Sequence, residues 1–221
     1  MPPSALSIPP FFENEGVRVR DIASKSTKYH HGDLRNKLIE TSTKMMRENG
    51  IQCLSLRKLA ENAGVSRSAP YHHFKDKNDL LAAVAEQGFE NLTYLLQVSA
   101  QDESLPLPQR LEQTILNYVR FSVENATQYE LMFGSELWRD NPSDRLQRTA
   151  KNSFRQYANL IADFHQQGLL KKSDDPLRLA QVMWSTLHGL VTLTHVGIFV
   201  RQGDLEDISQ YALSKLVQMV E

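Results

Sequence analysis

The chain has a single cysteine, Cys53, among its 221 residues. No internal disulfide can form, so the fold rests on its core, and a reducing compartment fits. No run reaches the roughly 18 apolar residues that a membrane-spanning helix needs. The opening MPPSALSIPPFFENEG lacks the basic and then apolar order of a secretory signal. These absences point to a cytoplasmic protein without a membrane partner. A Walker glycine loop, a dinucleotide fingerprint and a nucleophile elbow are also missing, so neither an enzyme nor a cofactor is expected. Metal-ligand spacing is absent as well. His30-His31 and His72-His73 are adjacent pairs whose rings diverge on a helix, and His165, His188 and His195 belong to no ligand motif.

What is there is unevenly charged. The net charge of −1 hides eleven basic against six acidic residues over 24–80, and twelve basic against seventeen acidic from residue 81 onward. A basic part and an acidic part suggest two jobs, and a polyanion should dock on the basic one. Residues 1–28, rich in proline and polar side chains, read as a flexible arm that adds Arg18, Arg20, Lys25 and Lys28. The division is an arm at 1–28, a small domain at 29–76 and a larger one at 77–221.

Apolar periodicity predicts helices and no sheet, giving an all-α chain with a three-helix N-terminal domain and a helical bundle behind it. Leu34, Leu38 and Met45 share a face of a first helix over 32–49, which Gly50 ends. Ser55 caps a second, with Leu54 and Leu59 as its hydrophobic staple, and Gly64 stops it. Ser66 is read as the cap of a third over 67–73, and Asp76 as the cap of a fourth from Lys77. Farther on, Pro106 and Pro108 precede a helix, Thr127 and Glu130 read as a capping box, and Pro142-Ser143 opens a long helix closed by Gly168. Asp175-Pro176 starts another helix, with residues 177, 180, 184, 187, 191, 195 and 198 on one face, and Asp204 starts the last.

Residues 54–77, LSLRKLAENAGVSRSAPYHHFKDK, hold two short helical segments around Ala63-Gly64-Val65. That spacing suits a helix-turn-helix, whose second helix leads into the major groove with its N-terminal residues. Those are Ser66, Arg67, Ser68 and Ala69: arginine forks onto a guanine edge, serine serves base or phosphate, and alanine meets a thymine methyl. Ser55, Arg57, Tyr71, His72 and Lys77 flank them as phosphate contacts that fix register without reading sequence.

This segment resembles the DNA-binding domain of TetR-type transcriptional regulators, most specifically in YHHFKDKNDLL at 71–81. The approach KYHHGDLR at 28–35 is similar to one branch of that family. The resemblance implies a dimer on a partly palindromic double-stranded DNA operator, most often a repressor released by a small molecule. In the C-terminal part, WSTLHG at 184–189 resembles the Trp-His-Gly signature of a regulatory-domain subgroup.

Trp184 and His188 lie four apart on one helical face. With Tyr118, Phe121, Met132, Phe133, Trp138, His165 and Thr192 they are candidate walls of an effector pocket, because pockets in bundles are apolar with a few orienting polar groups. The competing reading makes each of them ordinary core. The last two helices, about 176–200 and 204–220, carry more apolar surface than one domain needs and are expected to pair with their two-fold mates. An alternative keeps the DNA binding but places control in a protein partner, or dispenses with a ligand.

Overall fold

The computed structural model describes residues 31–139, 142–198 and 204–216, with side chains from Leu34 onward. The N-terminal arm and its cations lie outside these residues, as do the ends of the last two predicted helices. Nine α-helices appear among the described residues, and no strand.

α1 (His31–Asn49) buries Leu38, Ile39, Met45 and Met46 and returns the Ser42 hydroxyl to its own backbone at Leu38. α2 (Leu56–Ala63) is capped by Ser55, whose Oγ accepts from the Lys58 amide at 3.2 Å. Leu54 and Leu59, the expected staple, are both buried. Gly64 ends α2 at φ 68°, ψ 38°, and the next amide, Val65, reaches back to Ala60 O at 3.1 Å. Only glycine takes that left-handed turn without strain.

α3 (Lys77–Ala100) is the axis of the molecule. Asp76 caps it, accepting from the Asp79 amide at 2.9 Å, and Asp79 answers by accepting from Lys75 N at 2.9 Å. At 24 residues it is about 36 Å long, enough to serve both domains. Its first turns, Leu80, Leu81 and Val84, are fully buried, and its later turns pack on α4 (Leu107–Glu124), α5 (Ala126–Phe133) and α7 (Asp144–Gln166). Thr93 and Ser153 join α3 to α7 through a 2.7 Å hydroxyl pair. α5 lies so close to α3 that a Cβ on Gly88 would sit 2.5 Å from Met132 Sδ and 3.1 Å from Gln128 Cγ. Gly88→Ala should therefore cost about 1–2 kcal/mol by overpacking, read as a fall in thermal midpoint. An unchanged midpoint would show that Met132 moves aside freely.

A single turn, α6 (Ser135–Trp138), follows α5. α8 (Pro176–Val196) is capped by Asp175 and ends at Gly197, and α9 (Leu205–Leu216) is pinned to α4 by Arg120–Glu206 at 3.1 Å and Gln210–Glu112 at 2.8 Å.

Several expected boundaries shift. The third helix is not an α-helix over 67–73. A turn at Arg67 and Ser68 leads into a short 3₁₀ helix, Ala69–His72, because Pro70 has no amide to donate and so breaks the α-helical ladder. Ser66 does not cap it through its side chain: its Oγ pairs with Ser68 Oγ at 3.2 Å, while its carbonyl takes the Ala69 amide. The Thr127 capping box also fails: α5 already starts at Ala126, which puts Thr127 inside the helix and Asn125 at its cap position. Gly50 has positive φ but extended ψ, 77° and 166°, so it redirects the chain rather than forming a left-handed cap. On α8 the buried stripe is Ala180, Met183, Leu187, Val191 and Thr194, while Leu177 and His195, and Ile198 past the helix end, are exposed.

Candidate nucleic-acid interface and regulatory core

The turn after Gly64 puts Ser66, Arg67 and Ser68 at the surface, with Ala69 half-buried behind them. Arg67 has no hydrogen bond or ion pair among the described residues, so its five donors are available to an acceptor. Pro70 and Phe74, both buried, hold this segment against the domain, and the Arg35 guanidinium lies 5.4 Å above the Phe74 ring. Tyr71, 58% exposed, and His72 point away from that anchor, and Lys77 opens α3 half-buried. Arg57 pairs with Glu61 at 3.5 Å, but both side chains are largely exposed. Such a pair is worth about 0–1 kcal/mol and yields readily to a phosphate. Ser55 is committed internally as a helix cap, and the Ser66 and Ser68 hydroxyls pair with each other at 3.2 Å. Arg57, Ser66, Arg67, Ser68, Tyr71 and His72 are exposed along the turn and the helix starts, with Ala69 and Lys77 half-buried among them.

The C-terminal candidates meet around α5. Trp184 stacks edge-on against Tyr118 at 5.4 Å, Tyr157 at 5.0 Å and Phe154 at 5.6 Å. Phe133 lies 4.7 Å from both Tyr129 and His188. A hydrogen-bond chain threads the rings: Tyr118 Oη to Tyr129 Oη at 2.7 Å, then Tyr129 Oη to His188 Nδ1 at 2.7 Å. Burial raises the tyrosine hydroxyls above their ordinary range and lowers His188, which favours the neutral imidazole. Phe121 and Met132 are fully buried core. Three candidates stand apart from the rings. Trp138 donates from Nε1 to Met132 O at 2.8 Å and closes the end of α5, His165 bonds Lys171 O at 3.1 Å, and Thr192 is exposed with its hydroxyl on His188 O. Among the described residues no cluster of histidine, cysteine or carboxylates could hold a metal. No helix there is long and apolar enough to cross a membrane.

Two family models match this chain. Residues 38–84 match the model described as bacterial regulatory proteins, tetR family, and residues 111–216 match the tetracyclin repressor-like C-terminal domain.

The chain belongs to the TetR family.

It is a DNA-binding transcriptional regulator of the helix-turn-helix type. The HTH-type transcriptional regulator PksA of Bacillus subtilis is 26% identical over 160 residues, 72% of this chain and 78% of PksA. The HTH-type transcriptional repressor Rv1474c of Mycobacterium tuberculosis is 26% identical over 179 residues, 72% of this chain and 94% of the repressor. A solved structure of a protein of unknown function from Rhodococcus sp. RHA1 superposes with a TM-score of 0.69 at 28% identity. It covers 86% of this chain and 97% of its own.

Sequence reasoning missed three rings of this TetR-family core. Tyr129 falls inside the expected capping box, and Phe154 and Tyr157 lie on the long helix that Ser143 opens. Helical periodicity shows that a residue faces inward but not which helix it meets. Also missed was the junction between the two domains. Glu86, 6% exposed, leaves α3 there and accepts from Arg145 Nε of α7 at 2.9 Å. Burial raises its carboxyl above the usual range, against the pull of Arg145 and Arg35 and with help from Glu90 and Asp79. Arg35 belongs to α1, so one buried carboxylate feels both domains.

Proposed function

We propose that this regulator represses transcription as a dimer on a partly palindromic operator in the cytoplasm, and that a small molecule acting on the aromatic core releases it. The observation that carries this reading is the position of α5. Tyr129 and Phe133 bring it into the ring cluster, Gln128 Nε2 bonds Val84 O of α3 at 2.9 Å, and the helix also packs on α1. A ligand that shifts the rings therefore acts on the helix that touches the DNA-binding domain, and a few kcal/mol of differential affinity is enough for control. Ser55, Arg57, Tyr71, His72 and Lys77 hold phosphates in this scheme, and Ser66, Arg67, Ser68 and Ala69 read bases. The division between reading and regulatory parts falls at residues 76 and 77.

Footprinting on the DNA flanking its own gene, across a salt series, tests the scheme. A protected two-fold sequence with affinity falling steeply in salt supports it. Loss of even non-specific, salt-dependent binding would remove the assigned phosphate contacts.

The dimer forms through α8 and α9 in this reading. Val182, Gly189 and Val196 share the outer face of α8 by helical spacing. Val182 is 48% and Val196 66% exposed, Tyr211 of α9 is open as well, and a Cβ on Gly189 would touch nothing within 4 Å. Introducing Val182→Glu with Val196→Glu should convert the dimer to a monomer in light scattering, with helical content unchanged. A persistent dimer would move the interface elsewhere.

One observation favours regulation without a small molecule. The rings are in mutual contact, and the hollow of about 200 Å³ between Ala100, Arg110 and Phe164 is not lined by them. A ligand has to displace a ring in order to enter, so protein that copurifies with a compound on Trp184 decides for the effector.

A further inference from the structure

Packing leaves one hydroxyl of the ring cluster unused. Tyr157 is buried on α7 against Trp184, and its Oη has no hydrogen-bond partner among the described residues. The neighbouring hydroxyls differ. In either direction of the Tyr118–Tyr129–His188 chain, each member bonds another. Natural cores rarely leave such a group unpaired, and the loss of stability asks for an explanation. Resting on the effector reading above, we propose that the effector is an uncharged aromatic molecule whose hydrogen-bond acceptor receives the Tyr157 hydroxyl.

Two features support this class. The lining is ring faces and edges, which suit a flat apolar partner at ring-stacking distances. Burial is what shifts Tyr157 and His188, whereas Glu130 acts on His195, 5.9 Å from the Tyr129 ring. Against Tyr157 itself, an anion or cation would thus shed its hydration without a counter-charge beside it. A quaternary ammonium would gain from the ring faces but would leave Tyr157 as unpaired as before. The route follows from burial: Tyr118, Tyr129 and Tyr157 are sealed, whereas Phe133, Trp184 and His188 are half-buried. Entry is from that half-buried side, with Trp184 swinging off Tyr157 to admit the ligand.

The test titrates ¹⁵N-labelled protein with acetophenone, benzoate and benzyltrimethylammonium. It follows the Trp184 indole signal, assigned with Trp184→Phe, in wild type and in Tyr157→Phe. Expected is saturable movement with acetophenone alone, weakened about fivefold or more in Tyr157→Phe, where the ligand's acceptor goes unmatched. Without ligand, Tyr157→Phe should raise the thermal midpoint by about 2–6 °C, because it deletes an unpaired buried group. A lower midpoint would mean that a buried water already satisfies the hydroxyl, and would overturn the assignment. Equal affinity in the two proteins would overturn the role of Tyr157 while leaving a ligand site. Preference for either charged probe would overturn the class and leave the effector reading standing. If no probe moves Trp184 and Tyr157→Phe is not stabilised, the cluster is plain core and both readings fall.

Discussion

Arg67→Ala should lower affinity for the operator by about 30- to 10⁴-fold, since in the proposed dimer two arginines each read a guanine and each bidentate pair is worth about 1–3 kcal/mol. The fold and the dimer should survive, because Arg67 is exposed and has no bond within the described protein. The shape of the loss matters more than its size. A base-reading arginine carries sequence preference, so its removal should compress the ratio of operator to random-DNA affinity while the salt slope barely moves. Lys77→Ala, at the start of α3, should do the reverse: affinity falls evenly across sequences, and the salt slope drops by about one for each phosphate no longer neutralised. Competition binding at several salt concentrations separates the two. Wild-type discrimination in Arg67→Ala would hand base reading to Ser66 or Ser68.

Arg145→Ala is expected to destabilise the protein in a pH-dependent way. Removing one partner of a buried ion pair costs about 3–5 kcal/mol in full. Arg145 is 58% exposed, and water screens its share, so about 1–2 kcal/mol is a fair expectation. In thermal midpoint this is a fall of about 2–8 °C. The sign with pH follows from Glu86, whose folded-state carboxyl already lies above its ordinary value. A raised carboxyl contributes stability that is full below its unfolded pKa and is lost as pH rises through the folded value. Without Arg145 that value climbs further. The deficit should be largest in neutral and alkaline buffer and shrink as acid protonates Glu86. Adding Glu86→Gln to Arg145→Ala should recover most of the loss and flatten the profile, because no charge is left buried. Melting curves from acid to alkaline pH check both. A deficit independent of pH would mean that Arg145 acts through packing.

Much of this fold is legible in the residues. Ser55, Gly64, Asp76, Ser143 and Asp175 all announce helix ends, because caps and left-handed turns are local chemistry that a few neighbours decide. The exposed turn that carries Ser66, Arg67 and Ser68 is legible for the same reason, because Gly64 sets it. Pro70 marks where local reasoning needs one more step: the missing amide predicts a tighter turn, but the exposed arginine stays in front of it. Partners across helices are not legible. Glu86 looks like any polar residue on a long helix until α7 brings Arg145 to it, and Tyr157 looks like ordinary core until its hydroxyl is found unmatched. His165 shows the converse. An aromatic with a polar edge on an amphipathic helix suits a pocket wall, yet the turn after α7 gives it the Lys171 carbonyl instead.

The two tryptophans of the chain, 138 and 184, both stand beyond the DNA-binding domain, one closing α5 and the other among the tyrosines. Tryptophan emission is therefore blind to residues 54–77 and reports only on the C-terminal part. If adding operator DNA changes that emission, the signal has to have travelled along α3 or α5 to reach an indole. The unlabelled protein thus carries its own gauge of communication between the two domains.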